Sequence, residues 1–412
     1  MSLSKELKER GFINQTSTES LGEIFDGEKR VFYHGIDPTA DSAHVGNLVA
    51  WLFLKYVIDA GHTVLFLVGG GTGMIGDPKP DAERQLKAVE EVAQNVQKIK
   101  AQAEKFFGGS VEFVDNSEWL GQLKLIDFLR DVGKHYTVNE LIKKEAISTR
   151  LQSDTGLSYT EFAYPLLQGY DYYQLFQTKN CTVQVGGSDQ WGNMISGVEL
   201  VRRKAQAEVF AVTTPIVTDK STGKKFGKSE GNAVWLAAEK TSPFQFYQFW
   251  LNVSDDSVIE YLKLYTMLSL PEIEEVRVVF DLNPSERSAQ KQLAYQVTKL
   301  VHGEAAATKA QDVSGVLYGG TALSSLTEEE KSILRETAPT SVLTTTTNIV
   351  DVLVETGLAA SKREARMFIE SGAITLGGEK VLDIELMIEL QDTSDIILLQ
   401  RGKKQLHLLV AA

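Results

Sequence analysis

What most constrains this chain is a short apolar strand, Val31-Phe32-Tyr33, that runs into a polar loop and then a helix rich in Leu, Trp and Phe from Leu48. The loop contains Gly35-Ile36-Asp37-Pro38-Thr39 and ends in His44-Val45-Gly46-Asn47. A loop at a strand's carboxyl end that opens a helix is where a doubly wound sheet holds nucleotide phosphates. The alternation continues. A helix over 48–60 stops at Gly61, and a second strand, 63–68, ends in a segment, 69–76, that holds five glycines before Asp77-Pro78. Such a segment means a sharp backbone turn or a backbone lying against a ligand. A third strand, 111–114, precedes Asp115-Asn116-Ser117-Glu118-Trp119, and a fourth, 182–185, precedes Gly186-Gly187-Ser188-Asp189-Gln190. Strand, Gly-rich or polar turn, then helix, repeated, predicts an α/β fold: a Rossmann-type doubly wound parallel sheet with its site at the strand C-termini.

At 412 residues the chain needs more than one core. We expect a catalytic domain over 1–229 and a helical domain over 230–325, where strands give way to apolar spacings of three and four. A charge-free, threonine-rich stretch over 341–348 suggests that a linker, 326–348, precedes a small α+β domain over 349–412. The single cysteine, Cys181, rules out an intramolecular disulfide and reads as a buried thiol opening a strand. No apolar run reaches membrane-spanning length and no signal-peptide core is visible, so a cytoplasmic protein is expected. A net charge of −13 argues against general nucleic-acid binding but leaves room for one RNA partner on a basic face.

The pattern at His44-Val45-Gly46-Asn47, and a later loop, Lys225-Phe226-Gly227-Lys228-Ser229, resemble the two signatures of class I aminoacyl-tRNA synthetases. With Tyr33 and Tyr164-Pro165-Leu166-Leu167-Gln168-Gly169-Tyr170-Asp171, the chain is similar to the bacterial-type tyrosyl-tRNA synthetases. That resemblance implies activation of tyrosine by ATP and transfer to tRNA(Tyr) by a homodimer. Mg²⁺ is expected with ATP, without a metal held by the protein. It implies catalytic roles for Thr39, His44, Asn47, Lys225, Lys228 and Ser229. Tyr164, Gln168 and Asp77 would surround the substrate's ammonium, Tyr33 and Asp171 its phenol, and Gln190 would lie beside the amino acid. Gly35, Asp37, Gly46, Gly187, Asp189 and Lys228 would bind ATP.

Residue by residue, blander readings stand beside these. A histidine at a helix start also serves as a cap, a lysine-rich loop is often a solvated turn, and Gln168 and Asp171 could share a helix's solvent face. Asn47 replaces a second histidine of the first signature, and Phe226-Gly227 replace Met-Ser in the second. A tryptophanyl-type enzyme shares the core, but Tyr33 with Asp171 and the tail argue against it. The tail, Ser361-Lys362-Arg363-Glu364-Ala365-Arg366 followed by a glycine turn, resembles the S4 RNA-binding module, with Lys362, Arg363 and Arg366 on one side of a short helix. Residues 341–412 carry 7 Lys/Arg against 10 Asp/Glu. The pattern therefore favours RNA, and the charge does not.

Overall fold

The computed structural model describes residues 1–78, 82–152, 156–218, 228–229, 232–319, 321–390, 396–402 and 405–411. The first of its two compact units comprises 1–242 and 249–301, the second 243–248 and 302–412. The helices expected to form one domain over 230–325 are thus divided between the two units.

The first unit is built on six strands: β1 (Gln15–Thr16), β2 (Val31–Ile36), β3 (Thr63–Val68), β4 (Glu112–Asp115), β5 (Cys181–Gly187) and β6 (Phe210–Thr214). Their order is β1-β6-β5-β2-β3-β4. All neighbours are parallel except β1, which runs antiparallel along the edge of β6. From β2 the chain winds outward to β3 and β4, then returns to β5 on the other side. The reversal opens a crevice beyond the carboxyl ends of β2 and β5, where such sheets bind ligands. The strands are near-continuous apolar runs because helices cover both faces. In β3, five of six residues are buried.

The helix Val45–Asp59 is apolar nearly all round, with ten buried residues, as a central helix must be. Its Trp51 meets the rings of Phe66, Phe106 and Phe107. Each such buried ring contributes about 1.5–3 kcal/mol by leaving water. Helices Tyr159–Lys179 and Trp191–Ala205 pack closely because Gly169 and Gly197 leave room. A Cβ at Gly197 would sit 2.9 Å from Tyr172, and one at Gly169 would overlap the Tyr136 hydroxyl. Cys181 is fully buried and unpaired, as expected.

Below the crevice, Glu161 in the first turn of Tyr159–Lys179 is buried against Arg150, with Nη2 at 3.1 Å from Oε2. The same carboxylate accepts the backbone N–H of Arg84 at 3.1 Å. This buried pair ties three chain segments together. Removing one partner would strand an uncompensated charge, at about 3–5 kcal/mol.

In the second unit, Ile374–Leu376, Glu379–Lys380, Ile396–Arg401, Gln405–Ala411 and Thr340–Leu343 form one sheet. Ile374–Leu376 and Glu379–Lys380 are joined by Gly377 and Gly378, at φ 59° and 90°. Two successive positive φ values make a tight hairpin turn that glycine alone adopts without strain. Helices Ile349–Glu355 and Lys362–Glu370 cover one side, and their Ile349, Leu353, Ala365 and Ile369 share a core with Leu399 and Leu409.

The linker expected over 326–348 is corrected. Residues Glu328–Thr337 form a helix, begun by a reciprocal cap between Thr327 and Glu330. Thr340–Leu343 then pairs in parallel with Gln405–Ala411. Thr340 and Val342 are β-branched and suit a pleated strand, and the partner that recruits the segment lies more than sixty positions away.

Candidate active site

A cavity of about 340 Å³ lies at the carboxyl ends of β2 and β5. It adjoins a wider one of about 1470 Å³ that also reaches Lys144 and Trp191. Thr39, His44, Asn47, Asp37, Asp77 and Asp189 line both. Gly35, Gly46, Gly187, Gln168 and Gln190 line the smaller one. The structure therefore gathers the residues from the first signature, the long helix and the turn after β5.

The closed end of the smaller cavity holds Tyr33 and Asp171, both 2% exposed. Asp171 Oδ1 accepts the indole N–H of Trp119 at 2.7 Å, and Oδ2 accepts Asn116 Nδ2 at 2.9 Å. Burial pushes the Asp171 carboxyl up to about 7, against these two donors that pull it down. Burial, with the Asp171 charge second, raises the Tyr33 phenol well above its ordinary range. Among the described residues that line this cavity, the Tyr33 hydroxyl, Gln168 Oε1 and Gln184 Oε1 are buried with no hydrogen-bond partner. Buried polar atoms are paired with few exceptions, so three orphans in one cavity mark where a polar ligand is read. The solvent-face reading of Gln168 and Asp171 is thereby set aside. Asn116 and Trp119 were not singled out as site residues in the sequence, because a polar turn after a strand looks alike whether it faces in or out.

A second acidic layer lies nearer the opening. Asp77 accepts from Gln190 Nε2 at 2.7 Å and Asn193 Nδ2 at 2.9 Å, and burial lifts its carboxyl to about 6. Asp37, which lines both cavities, is held by two protein donors. Tyr164 donates to its Oδ2 at 2.8 Å and Thr72 to its Oδ1 at 2.8 Å. Burial raises this carboxyl too. A Cβ at Gly69 would come within 2.4 Å of both Asp37 Oδ1 and Thr72 Oγ1, which explains one of the five glycines. Arg84, also absent from the sequence expectations, lines the cavity and donates Nε to the Asp77 carbonyl at 2.8 Å. On the far side, Asp189 follows β5 in a 3-10 turn. A Cβ at Gly187 would come within 2.8 Å of Asp189 Oδ1.

His44 is the N-cap of Val45–Asp59. Its Nδ1 accepts the N–H of Gly46 at 3.0 Å, and Asn47 Oδ1 accepts the N–H of His44 at 3.0 Å. The capping reading is correct as far as it goes. It also orients the ring, because Nδ1 is the acceptor and Nε2 then carries the proton. Gly46 is needed for this ring: a Cβ there would lie 2.7 Å from His44 Cε1. Asn47 uses its oxygen in the cap, so any bond it offers a ligand comes from its amide N–H groups. Lys225 lies outside the described residues, and for Lys228 and Ser229 the description extends only to the backbone, a short strand paired with Asn232–Ala233.

Lys362, Arg363 and Arg366 are exposed on Lys362–Glu370, in the second unit, and Lys362 pairs with Asp351 at 2.5 Å. Among the described residues, no group of three or more His, Cys, Asp or Glu side chains is arranged to hold a metal, and no helix is long and apolar enough to cross a membrane.

A family model described as "tRNA synthetases class I (W and Y)" matches residues 26–318. Another, "Tyrosine--tRNA ligase SYY-like C-terminal domain", matches 330–409. The chain is 46% identical to the tyrosine–tRNA ligase of Streptococcus mutans, over 99% of this chain and 100% of that protein. It is 47% identical to that of Lactococcus lactis, over 98% and 99%. A C-terminally truncated mitochondrial tyrosyl-tRNA synthetase of Aspergillus nidulans superposes with a TM-score of 0.67 at 30% identity, over 75% of this chain and 92% of that one. With the signature loop capped on the central helix and both models covering the chain almost end to end, this protein belongs to the class I tRNA synthetases of the tryptophan and tyrosine type.

Proposed function

We propose that this chain is a tyrosine–tRNA ligase, which makes tyrosyl adenylate from tyrosine and ATP and transfers tyrosine to the 3′ end of tRNA(Tyr), releasing pyrophosphate and AMP. The observation that carries this reading is the unpartnered, buried Tyr33 hydroxyl sharing a closed cavity with the Asp171 carboxylate. A phenol entering there donates its O–H to Asp171 and pairs with the hydroxyl of Tyr33. Phenylalanine leaves both unpaired. The unpartnered oxygen of Gln168 and the carboxylates of Asp77 and Asp37 supply acceptors for the ammonium.

Adenylate formation is an in-line attack by the tyrosine carboxylate on the α-phosphorus of ATP. It needs no protein nucleophile, only alignment and donors that strengthen as charge moves to pyrophosphate. In this reading His44 Nε2–H and Thr39 offer such donors, Lys225 and Lys228 act on the departing phosphates, and Asp189 binds the ribose. Mg²⁺ enters bound to the phosphates, as part of the substrate. A tRNA ribose hydroxyl then attacks the acyl carbonyl and AMP leaves, with Lys362, Arg363 and Arg366 among the residues holding the RNA.

We also propose a cytoplasmic homodimer. Leu125, Ile126, Val138 and Tyr159 are 61–72% exposed within one stretch of the first unit, apolar side chains that a second copy of the chain would cover. ATP–pyrophosphate exchange with each of the twenty amino acids tests the activity. Exchange with tyrosine alone is expected, and equal exchange with tryptophan or phenylalanine would refute it. Sedimentation of Ile126→Glu tests the dimer, since a charge there should shift the protein toward monomer.

A further inference from the structure

The segment after the second signature is stitched to the first-signature loop. Val45 N donates to the Val234 carbonyl at 3.0 Å and Leu236 N to that of Ala43 at 2.9 Å, with His44 opposite Trp235 in an antiparallel bridge. Ala237 N donates to Ser42 Oγ at 3.2 Å, and Trp235 N to Thr241 Oγ1 at 3.0 Å. Across this bridge the rings of His44 and Trp235 meet edge to face, 6.1 Å between centroids at 69°. Lys240 lies 4.9 Å over the Trp235 ring and also pairs with Asp41. From the opposite side, the helix Val89–Phe107 brings Lys98 to Asp41 at 3.0 Å and Gln102 Oε1 to the Ala43 N–H at 2.8 Å. Lys240 first and Lys98 second hold the Asp41 carboxyl down at about 2.

This is more fixation than a helix cap needs. Gly46 N–H already binds one edge of the imidazole, but that bond alone leaves the ring able to tip toward solvent. The Trp235 ring packs edge to face against the imidazole, and the Lys240 cation lies over the indole. We propose that Trp235, backed by the Lys240–Asp41 pair, is a positioning residue for adenylate formation that holds His44 in the orientation from which it meets the ATP phosphates. The inference rests on the reading of His44 given above. Its energetic logic is preorganisation: a donor misplaced by a fraction of an ångström loses rate without affecting the binding of a substrate it does not touch.

The test is a double-mutant cycle on the full chain, followed by rapid-quench measurement of adenylate formation and by equilibrium tyrosine binding. Trp235→Ala should slow the step about tenfold, with the tyrosine dissociation constant changing less than about twofold. Trp235→Phe, which keeps an aromatic ring beside the histidine, should recover most of the rate. In a His44→Ala background, Trp235→Ala should add nothing, because the residue acts through the ring already removed. An equal slowing with and without His44 overturns the proposal while leaving the site reading intact. A parent-like rate in His44→Ala alone overturns the site reading, and the proposal with it. Should Trp235→Ala not fold, the same cycle with Lys240→Gln, at the surface, should show a loss of about threefold that vanishes without His44, and additive losses there also overturn the proposal.

Discussion

Trp119 donates its indole N–H to Asp171 at 2.7 Å, so the acceptor at the blind end of the cavity is held by a residue from the turn after β4. Together with Asn116 it keeps a buried carboxylate ionisable, since both donors lower a carboxyl that burial raises. Reading a phenolic O–H needs the ionised form. The kcat/KM for adenylate formation with tyrosine should therefore fall as pH drops through about 7. Trp119→Phe keeps a ring but removes a charge-assisted bond of about 1.5–3 kcal/mol. The fall should move to higher pH and tyrosine use at pH 7 should drop about tenfold or more. A profile identical to the parent's would remove Asp171 from the reading of the phenol.

Tyr33→Phe separates function from stability. A site built to bond a hydroxyl rejects the analogue lacking it, and tyrosyl-tRNA synthetases are the standard instance, so the size of that rejection belongs to the family. Specific to this chain is the unpartnered state of the Tyr33 hydroxyl without ligand. Removing an unsatisfied buried hydroxyl should raise the stability of the ligand-free protein by about 1 kcal/mol. Discrimination of tyrosine over phenylalanine should narrow at the same time. Thermal melting and adenylate formation with both amino acids check the two halves, and unchanged discrimination would remove Tyr33 from the phenol site.

The raised acids fix a sign for stability against pH. Asp171 and Asp77 titrate near 7 and 6 in the folded chain, against 3.8 for the ordinary carboxyl. Between those values the folded state binds more protons than the unfolded, so their contribution is whole below about pH 4 and is lost as pH rises through the folded values. Melting of the parent should lose ground to Asp171→Asn between pH 4.5 and 7.5, whatever the offset between the two curves. A parent that gains on Asp171→Asn over that range would contradict the assignment.

Gly46→Ala puts a methyl 2.7 Å from His44 Cε1. Either the ring moves or the first turn of Val45–Asp59 does. Adenylate formation should fall about tenfold or more while tyrosine affinity holds, because Gly46 lies at the cavity's mouth and the phenol site at its closed end. Rapid-quench kinetics and equilibrium binding decide, and a normal rate would mean that the orientation of the ring is immaterial.

A chain ending at Pro339 stops before the first strand of the second unit's sheet. It should still form tyrosyl adenylate, since every residue of the cavity precedes position 236. Charging of tRNA should be largely lost. In the full chain, Arg363→Ala with Arg366→Ala should weaken tRNA binding and reduce the salt slope of its logarithm by about 2. An unchanged slope would mean that these guanidiniums do not meet phosphate.

The alternation of strands and helices, the capped signature loop and the Gly377-Gly378 hairpin were legible in the sequence because each is decided locally, by hydrophobic period, a cap or a backbone angle. So was the bringing together of Tyr33 and Asp171 in one cavity, through resemblance rather than physics. What the local pattern leaves open is which polar side chains turn inward. Asn116 and Trp119 come to Asp171 from 55 and 52 positions away, and Tyr164 reaches Asp37 across 127. Trp235 meets His44 only because two loops are bridged. The segment Thr340–Leu343 became a strand only when Gln405–Ala411 offered it an edge. A polar residue in a turn has the same neighbours in sequence whether it faces solvent or a buried carboxylate. Burial makes the difference, by charging a desolvation cost that only a partner can offset, and burial is a property of the folded whole.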